Sequence, residues 1–395
     1  MKTDSVPQYT EPYIAPKWLR GGNAQTIYPF LMRQKPLFVY RRVRWELDDG
    51  DFVDVDWLDG NTNAPLVIIF HGLEGGSNSH YIISIKNILQ QYGWHSVVIH
   101  FRGCSGSPNR LPRAYHAGDS AEIDWMVKRI IREHRQFNTE LQPVYAIGVS
   151  LGGNALLKWL GEQGRDAGNW LNGVAAVSVP LDLAAAGAAL DSGFNQVYTH
   201  HFLSTLKYKS FEKLEKFPGL FDGKTLSKCK SIYDFDNIVT APLHGFKDTD
   251  DYWQQSSSKQ WLPRIQVPTL LINAHNDPFM PASVLPGAGE VSAAVTRVFP
   301  EEGGHAGFIQ SPFPGNFEWL PRRIISFFYH QCRKRAGHDK NRATNALLRL
   351  WVIGMRTRWP LPGAANTGLP LLSCIWVSST TWLPDGCMIS RRSPT

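Results

Sequence analysis

Among the residues whose types and spacing can do chemistry, Ser150 stands first, in the run Gly148-Val149-Ser150-Leu151-Gly152. A serine hydroxyl is a weak nucleophile alone. It needs a base to take its proton, an acid to orient that base, and N–H donors for the oxyanion formed when it attacks a carbonyl. The run follows a buried apolar segment, Val144 to Val149, and opens a helical one, Asn154 to Leu160. A sharp strand-to-helix turn lifts such a serine clear of a sheet, and its glycines let neighbouring backbone come close.

On such an elbow the partners follow in the order serine, acid, histidine. His305, in Glu302-Gly303-Gly304-His305-Ala306-Gly307-Phe308, is the candidate base, because its glycines permit an exposed imidazole. His95, His100, His116, His200, His201 and His244 all come too early in the chain. Asp277, in Ala274-His275-Asn276-Asp277-Pro278-Phe279, follows an apolar strand and is the candidate acid. Asp248, Asp250, Asp251 and Glu301 are expected to be solvated. For the oxyanion, the amide of Leu151 opens the helix after the serine, where the helix N-terminus favours negative charge. The second donor is expected from His71-Gly72-Leu73-Glu74-Gly75-Gly76, with the amide of Leu73 as candidate and His71 as a brace of the loop. Cys104 reads as a small filler and Arg102 as a loop brace, rather than as a nucleophile and an anion receptor. The scheme requires no metal and no organic cofactor.

These residues need a scaffold. Arg41 to Trp57 alternates apolar and polar residues about Asp48-Asp49-Gly50, an antiparallel hairpin of two half-buried strands. Leu66–Phe70, Ser96–Phe101, Val144–Val149, Val174–Val179, Val267–Asn273 and Thr296–Phe299 are short apolar runs, the pattern of strands covered on both faces. Helical patterns at Tyr81–Tyr92, Ser120–His134, Gly153–Gln163 and Phe317–Lys334 fall between or after them. The result is an α/β fold, a mostly parallel central sheet with helices on both faces. The alternation stops between Leu181 and Leu262, an aromatic-rich stretch of short helical patterns broken at Pro218-Gly219 and Asp222-Gly223, expected to form an inserted helical cap. The organisation expected is an N-terminal extension (1–40), a core (41–180), the cap (181–262), the rest of the core (263–340) and an irregular basic tail (341–395).

The chain has 395 residues and a net charge of +7, but six tail arginines face a single tail acid, Asp385. The charge therefore belongs to the tail, and without a basic stripe interleaved with aromatics it argues against a nucleic-acid partner. Five scattered cysteines exclude a disulfide framework or zinc motif and point to a reducing compartment. No secretory leader or transmembrane run is visible, so a cytoplasmic location is expected, with at most a peripheral membrane contact through Leu369–Leu383.

Motifs spread along the body carry a resemblance as well. They are Trp18-Leu19-Arg20-Gly21-Gly22 with Gln25-Thr26, His71-Gly72-Leu73-Glu74-Gly75 with Ser79-His80-Tyr81, Phe101-Arg102-Gly103-Cys104-Ser105-Gly106, and Tyr115-His116-Ala117-Gly118-Asp119. The Ser150 elbow, Phe235-Asp236, Thr240-Ala241-Pro242-Leu243-His244-Gly245-Phe246, Asn276-Asp277-Pro278-Phe279 and Gly303-Gly304-His305 complete the set. From about Pro16 to about Lys334 the chain resembles the YheT-like, AB-hydrolase-four branch of the α/β-hydrolases. It departs at Asn23, where many members carry histidine, and in the tail.

The resemblance implies the α/β-hydrolase fold, a triad on Ser150, Asp277 and His305, and a small-molecule ester or lipid substrate with short- to medium-chain acyl groups. An alcohol O-acyltransferase using the same acyl-enzyme is the main rival. A non-catalytic binding protein on the same scaffold is another. A panel of esters of increasing acyl length, run on the full chain and on one ended at Lys340, measures which acyl group is taken and whether the tail contributes: lost turnover would make the tail part of the working protein, and equal turnover would set it apart.

Overall fold

The computed structural model describes residues 6–32, 36, 38–137 and 142–332, so the tail 341–395 and the end of the helix expected to reach Lys334 lie outside the described residues. Among the described residues, eight strands form one sheet in the order β1-β2-β4-β3-β5-β6-β7-β8. They are β1 (Arg41–Glu46), β2 (Phe52–Leu58), β3 (Leu66–Phe70), β4 (His95–Ile99), β5 (Val144–Val149), β6 (Gly173–Val177), β7 (Thr269–Ile272) and β8 (Val295–Val298). β1 and β2 pair antiparallel, β2 joins β4 antiparallel, and from β4 to β8 every pairing is parallel.

The apolar runs form a parallel sheet because both faces are covered. Along β3, Leu66, Ile68 and Phe70 enter one core, while Val67 and Ile69 enter the other. The first core is closed by α3 (Ser120–Phe137) and α4 (Leu151–Gln163), the second by α2 (His80–Gln91) and the helix Trp319–Phe327. In α3 the buried residues Ile123, Met126, Val127, Ile130 and Ile131 follow the spacing of one helical face.

Two expectations need correction. β2 is buried along its whole length rather than half-buried, because β1 and β4 flank it and both its faces are covered. Its polar residues survive there by pairing across the ladder: Arg42 Nε donates to Asp56 Oδ1 at 2.7 Å and Arg44 Nε to Asp54 Oδ1 at 2.8 Å. Burial alone would raise the Asp56 pKa, but hydrogen bonds from Arg42, His100 and Ser77 hold it well below the usual carboxylate range. Nor are the helices between β6 and β7 all short. After α5 (Leu183–Leu190) comes α6 (Gln196–Lys216), 21 residues long, since no glycine or proline interrupts it before Pro218. This excursion has a small core of its own around Leu203, Leu226, Phe235 and Val239.

A further helix, α1 (Gly22–Leu31), lies in the segment read as an extension, and Pro29 sits inside it. Proline and the absence of an acidic first turn hide it from a periodicity reading. No helix among the described residues is long and apolar enough to cross a membrane.

Lys86 on α2 is fully buried, its ammonium 4.0 Å from the centre of the Tyr40 ring. Burial lowers its pKa from 10.5 to about 7, against the pull of Asp56. Between those values the unfolded chain binds a proton that the folded chain does not, so this lysine makes stability rise with pH. In Lys86→Met the pH slope of the urea midpoint from about 7 to 10.5 is expected to flatten; the change should be on the order of 1 kcal/mol per pH unit, and an unchanged slope would refute it.

Candidate active site

Ser150 occupies the single residue between β5 and α4, at φ 53° and ψ −123°. For a residue with a side chain this left-handed backbone is strained and persists only where packing imposes it. The packing is backbone against backbone. A Cβ on Gly152 would lie 2.5 Å from the His71 carbonyl oxygen, and one on Gly148 would lie 2.6 Å from the Gly153 Cα. One on Gly72 would approach the Ser150 Cβ to 3.1 Å, which puts the loop after β3 against the serine. The Ser150 amide is tied to the Val177 carbonyl at 2.9 Å, whereas its hydroxyl makes no hydrogen bond among the described residues.

The loop 71–76 accounts for its own amides almost completely. Gly72 N–H donates to Tyr81 Oη, Glu74 N–H to Tyr115 Oη, Gly75 N–H to the Gly72 carbonyl and Gly76 N–H to Ser79 Oγ. Between Gly72 and Gly76 the Leu73 amide alone is left without a partner among the described residues. Leu151, as the first residue of α4, likewise has an amide with no intrahelical acceptor. His71 is a brace: its Nε2 accepts from Phe101 N–H at 3.1 Å, so the proton sits on Nδ1 and is donated to the Gly72 carbonyl at 2.7 Å. Full burial, with a smaller push from His100, lowers its pKa to about 3, so it stays neutral.

Asp277 and His305 meet. The imidazole Nδ1 lies 2.9 Å from Asp277 Oδ2 and 3.1 Å from Oδ1, which leaves Nε2 free among the described residues. The Asp277 side chain is wholly buried, and its Oδ1 also accepts from Phe279 N–H at 2.9 Å. Ser150, His305, Leu73 and Leu151 all line one cavity of 1080 Å³, with Asp277 set behind the imidazole.

Sequence reasoning missed what holds these loops. Gln25, buried on α1, accepts at Oε1 from Asn276 Nδ2 (3.0 Å) and from Gly303 N–H (2.7 Å), and donates to the Leu19 carbonyl at 2.8 Å. Its neighbour Thr26 accepts from His305 N–H at 2.9 Å. One helix thus fastens the acid loop to the base loop. A Cβ on Gly22 would lie 1.9 Å from the Asn276 carbonyl oxygen, so α1 sits directly on the acid loop. At the start of α2, His80 Nε2 donates to the Ala306 carbonyl at 3.0 Å. The motif residues Ser79, His80 and Tyr81 therefore join the Leu73 loop to the His305 loop. The signal was present in the quoted motifs, but local pattern cannot say which distant loop a glutamine or histidine will reach.

The remaining candidates behave as braces. Arg102 is buried and contacts Asp49, Asp51 and Glu122. The Cys104 thiol is pushed up to about 12 by burial and by Glu74, so it is not a thiolate. His116 and His244 are half-buried side by side, ring centroids 4.4 Å apart, and desolvation brings each to a pKa of about 3.

Comparison with known proteins agrees with this architecture. A family described as alpha/beta hydrolase fold matches residues 65–312. The chain is 38% identical over 317 residues to the Escherichia coli protein named "Putative esterase YheT", covering 79% of this chain and 91% of that one. It is 31% identical to the embryogenesis-associated protein EMB8 of Picea glauca, over 75% of this chain and 67% of that one. With phospholipase ABHD3 of Mus musculus it shares 28% identity, over 85% of this chain and 82% of that one.

Gln25→Leu leaves buried polar partners unpaired, each at a cost of about 1–3 kcal/mol. The variant is expected to unfold at lower urea and to lose activity. Wild-type stability would show that Gln25 is not the node described.

Proposed function

Because the chain belongs to the alpha/beta hydrolase fold family, we propose that it hydrolyses carboxylic esters, with Ser150 as nucleophile, His305 as its base and Asp277 as the orienting acid. The observation that carries this reading is convergence. The serine, an imidazole already paired through Nδ1 to a buried carboxylate, and two uncommitted backbone amides belong to one cavity wall or its immediate backing.

The chemistry follows from the placement. His305 Nε2 takes the Ser150 proton as Oγ attacks the ester carbonyl, and Asp277 stabilises the imidazolium that forms. The Leu73 and Leu151 amides receive the oxyanion as fixed, preorganised dipoles. The imidazolium returns its proton to the departing alcohol, leaving an acyl-serine. Water, deprotonated by the same imidazole, then releases the acid.

Residues 181–262 act as a cap on the core that precedes and follows them, and the cap supplies the acyl wall. Leu183, Ala186, Leu190, Phe202, Phe235 and Val239 all line the cavity. An apolar wall of this kind suits a short- to medium-chain acyl group or a lipid-derived ester. The esterase and phospholipase names of two relatives support that class.

The test is turnover of p-nitrophenyl esters of increasing acyl length by purified protein. Ser150→Ala is expected to lower kcat by on the order of 10⁴-fold or more, with folding unchanged. Asp277→Asn, which removes the charge that holds the imidazole tautomer, should cost about 10⁴-fold. Retained turnover in Ser150→Ala would sink the reading. Ester formation in added ethanol would separate hydrolysis from transfer, and dominance of transfer at modest alcohol would replace the hydrolase with an acyltransferase.

A further inference from the structure

Glu74 follows Leu73 directly, and the reading of Ser150 above does not use it. Its backbone is left-handed at φ 53°, although it is not glycine, and its side chain is only 8% exposed beside the cavity. Such a conformation needs to be held from outside. Two side chains hold it. Tyr115 Oη accepts the Glu74 amide at 2.9 Å and donates its own hydrogen to Glu74 Oε1 at 2.8 Å, so one phenol clasps both backbone and carboxylate. Lys209 Nζ pairs with the other oxygen, Oε2, at 2.7 Å.

Lys209 comes from α6, in the excursion between β6 and β7, and α6 reaches the other side of the site as well. Asn195, just before α6, donates to the Pro278 carbonyl at 2.6 Å, and the Tyr198 ring packs on Phe279 with centroids 4.8 Å apart. Both contacts fall on the loop that carries Asp277. One helix thus spans from the acid loop to the oxyanion loop, and the Lys209–Glu74 pair is its fastening at the oxyanion end.

We propose that Glu74 is a positioning residue that fixes the Leu73 amide for the oxyanion, and that Lys209 of the cap completes this function, so that a seated cap and a formed oxyanion hole are one state. The proposal rests on the Ser150 reading. Glu74 is not assigned to substrate: both carboxylate oxygens are already engaged by Tyr115 and Lys209. A brace confined to the core would need only Tyr115; the ion pair to α6 ties the geometry at Leu73 to the element that roofs the acyl cavity.

The experiment compares Glu74→Gln, Lys209→Met and Lys209→Arg with the wild-type chain in kcat and KM for a p-nitrophenyl ester, rate of labelling by a fluorophosphonate, and urea midpoint. Since loss of one oxyanion donor costs about 10²–10³-fold, its misplacement in Glu74→Gln and Lys209→Met is expected to lower kcat by about 10- to 100-fold. KM should change little, and labelling should slow in step with kcat. Lys209→Arg keeps the charge and should recover most of kcat, and the double variant Glu74→Gln/Lys209→Met should be no worse than the poorer single one. Unchanged kcat with a shift only in KM or urea midpoint would overturn the proposal, as would an arginine variant as poor as the methionine one. Wild-type protein that fails to label removes the nucleophile reading and this inference with it. Labelled wild type with fully active variants removes the inference alone.

Discussion

The site depends on how closely two stretches of backbone approach at the end of the sheet. The first turn of α4 meets the end of β3 at a separation that admits no Cβ, with Gly152 against the Phe70 and His71 backbone and Gly148 against Gly153. That contact holds Ser150 at a positive φ, places the Leu151 amide at the free end of α4, and lays the Gly72–Leu73 segment beside the serine. Any larger residue there would move all three together, since close-packed backbone has no rotamer with which to yield.

Around this point the work is divided between two short helices that flank the loops. α1 joins the acid and base loops through Gln25 and Thr26. The start of α2 joins the base loop to the Leu73 loop through His80, Tyr81 and Ser79. Loops that project from strand ends are ordinarily the mobile part of an α/β domain. Here their amides and carbonyls are committed to side chains from elsewhere, and the uncommitted N–H of Leu73 stands out against that background. A free donor next to a strained serine has physical meaning because its neighbours are satisfied.

The cavity combines an apolar wall with charged groups beside it. The Glu74 carboxylate, paired with the half-buried Lys209, and Asp236, held by Thr240 and the Trp253 indole, are acids largely out of water whose retention requires partners. Asp236 shows the cost: burial raises its pKa to about 6 despite both hydrogen bonds. Lys209 ties α6 to the core, whereas Asp236, Thr240 and Trp253 are joined within the excursion; the excursion also meets the core through an apolar cluster of Ala117 and Leu151 with Leu183, Tyr252 and Trp253.

The order of strands and helices was legible in the sequence, because a buried strand must be a continuous apolar run and a surface helix must repeat near every third or fourth residue. The strand-to-helix turn at Ser150 was legible too, as a serine between glycines after such a run, and Asp277 and His305, which the fold brings together, were expected as partners from their order and flanking glycines or proline. The burial of β2 was not, because Asp54 and Asp56 look solvent-facing until Arg42 and Arg44 are seen opposite them. α1 was hidden by Pro29 and by its lack of periodicity. The roles of Gln25, Thr26, His80 and Glu74 were decided only by tertiary structure: each acts on a residue of another segment, and hydrogen bonds spanning up to 279 positions leave no local pattern to read. Sequence determines which groups the chain has for chemistry and which segments carry them; only the folded contacts decide which amide stays free and which side chain holds it in place.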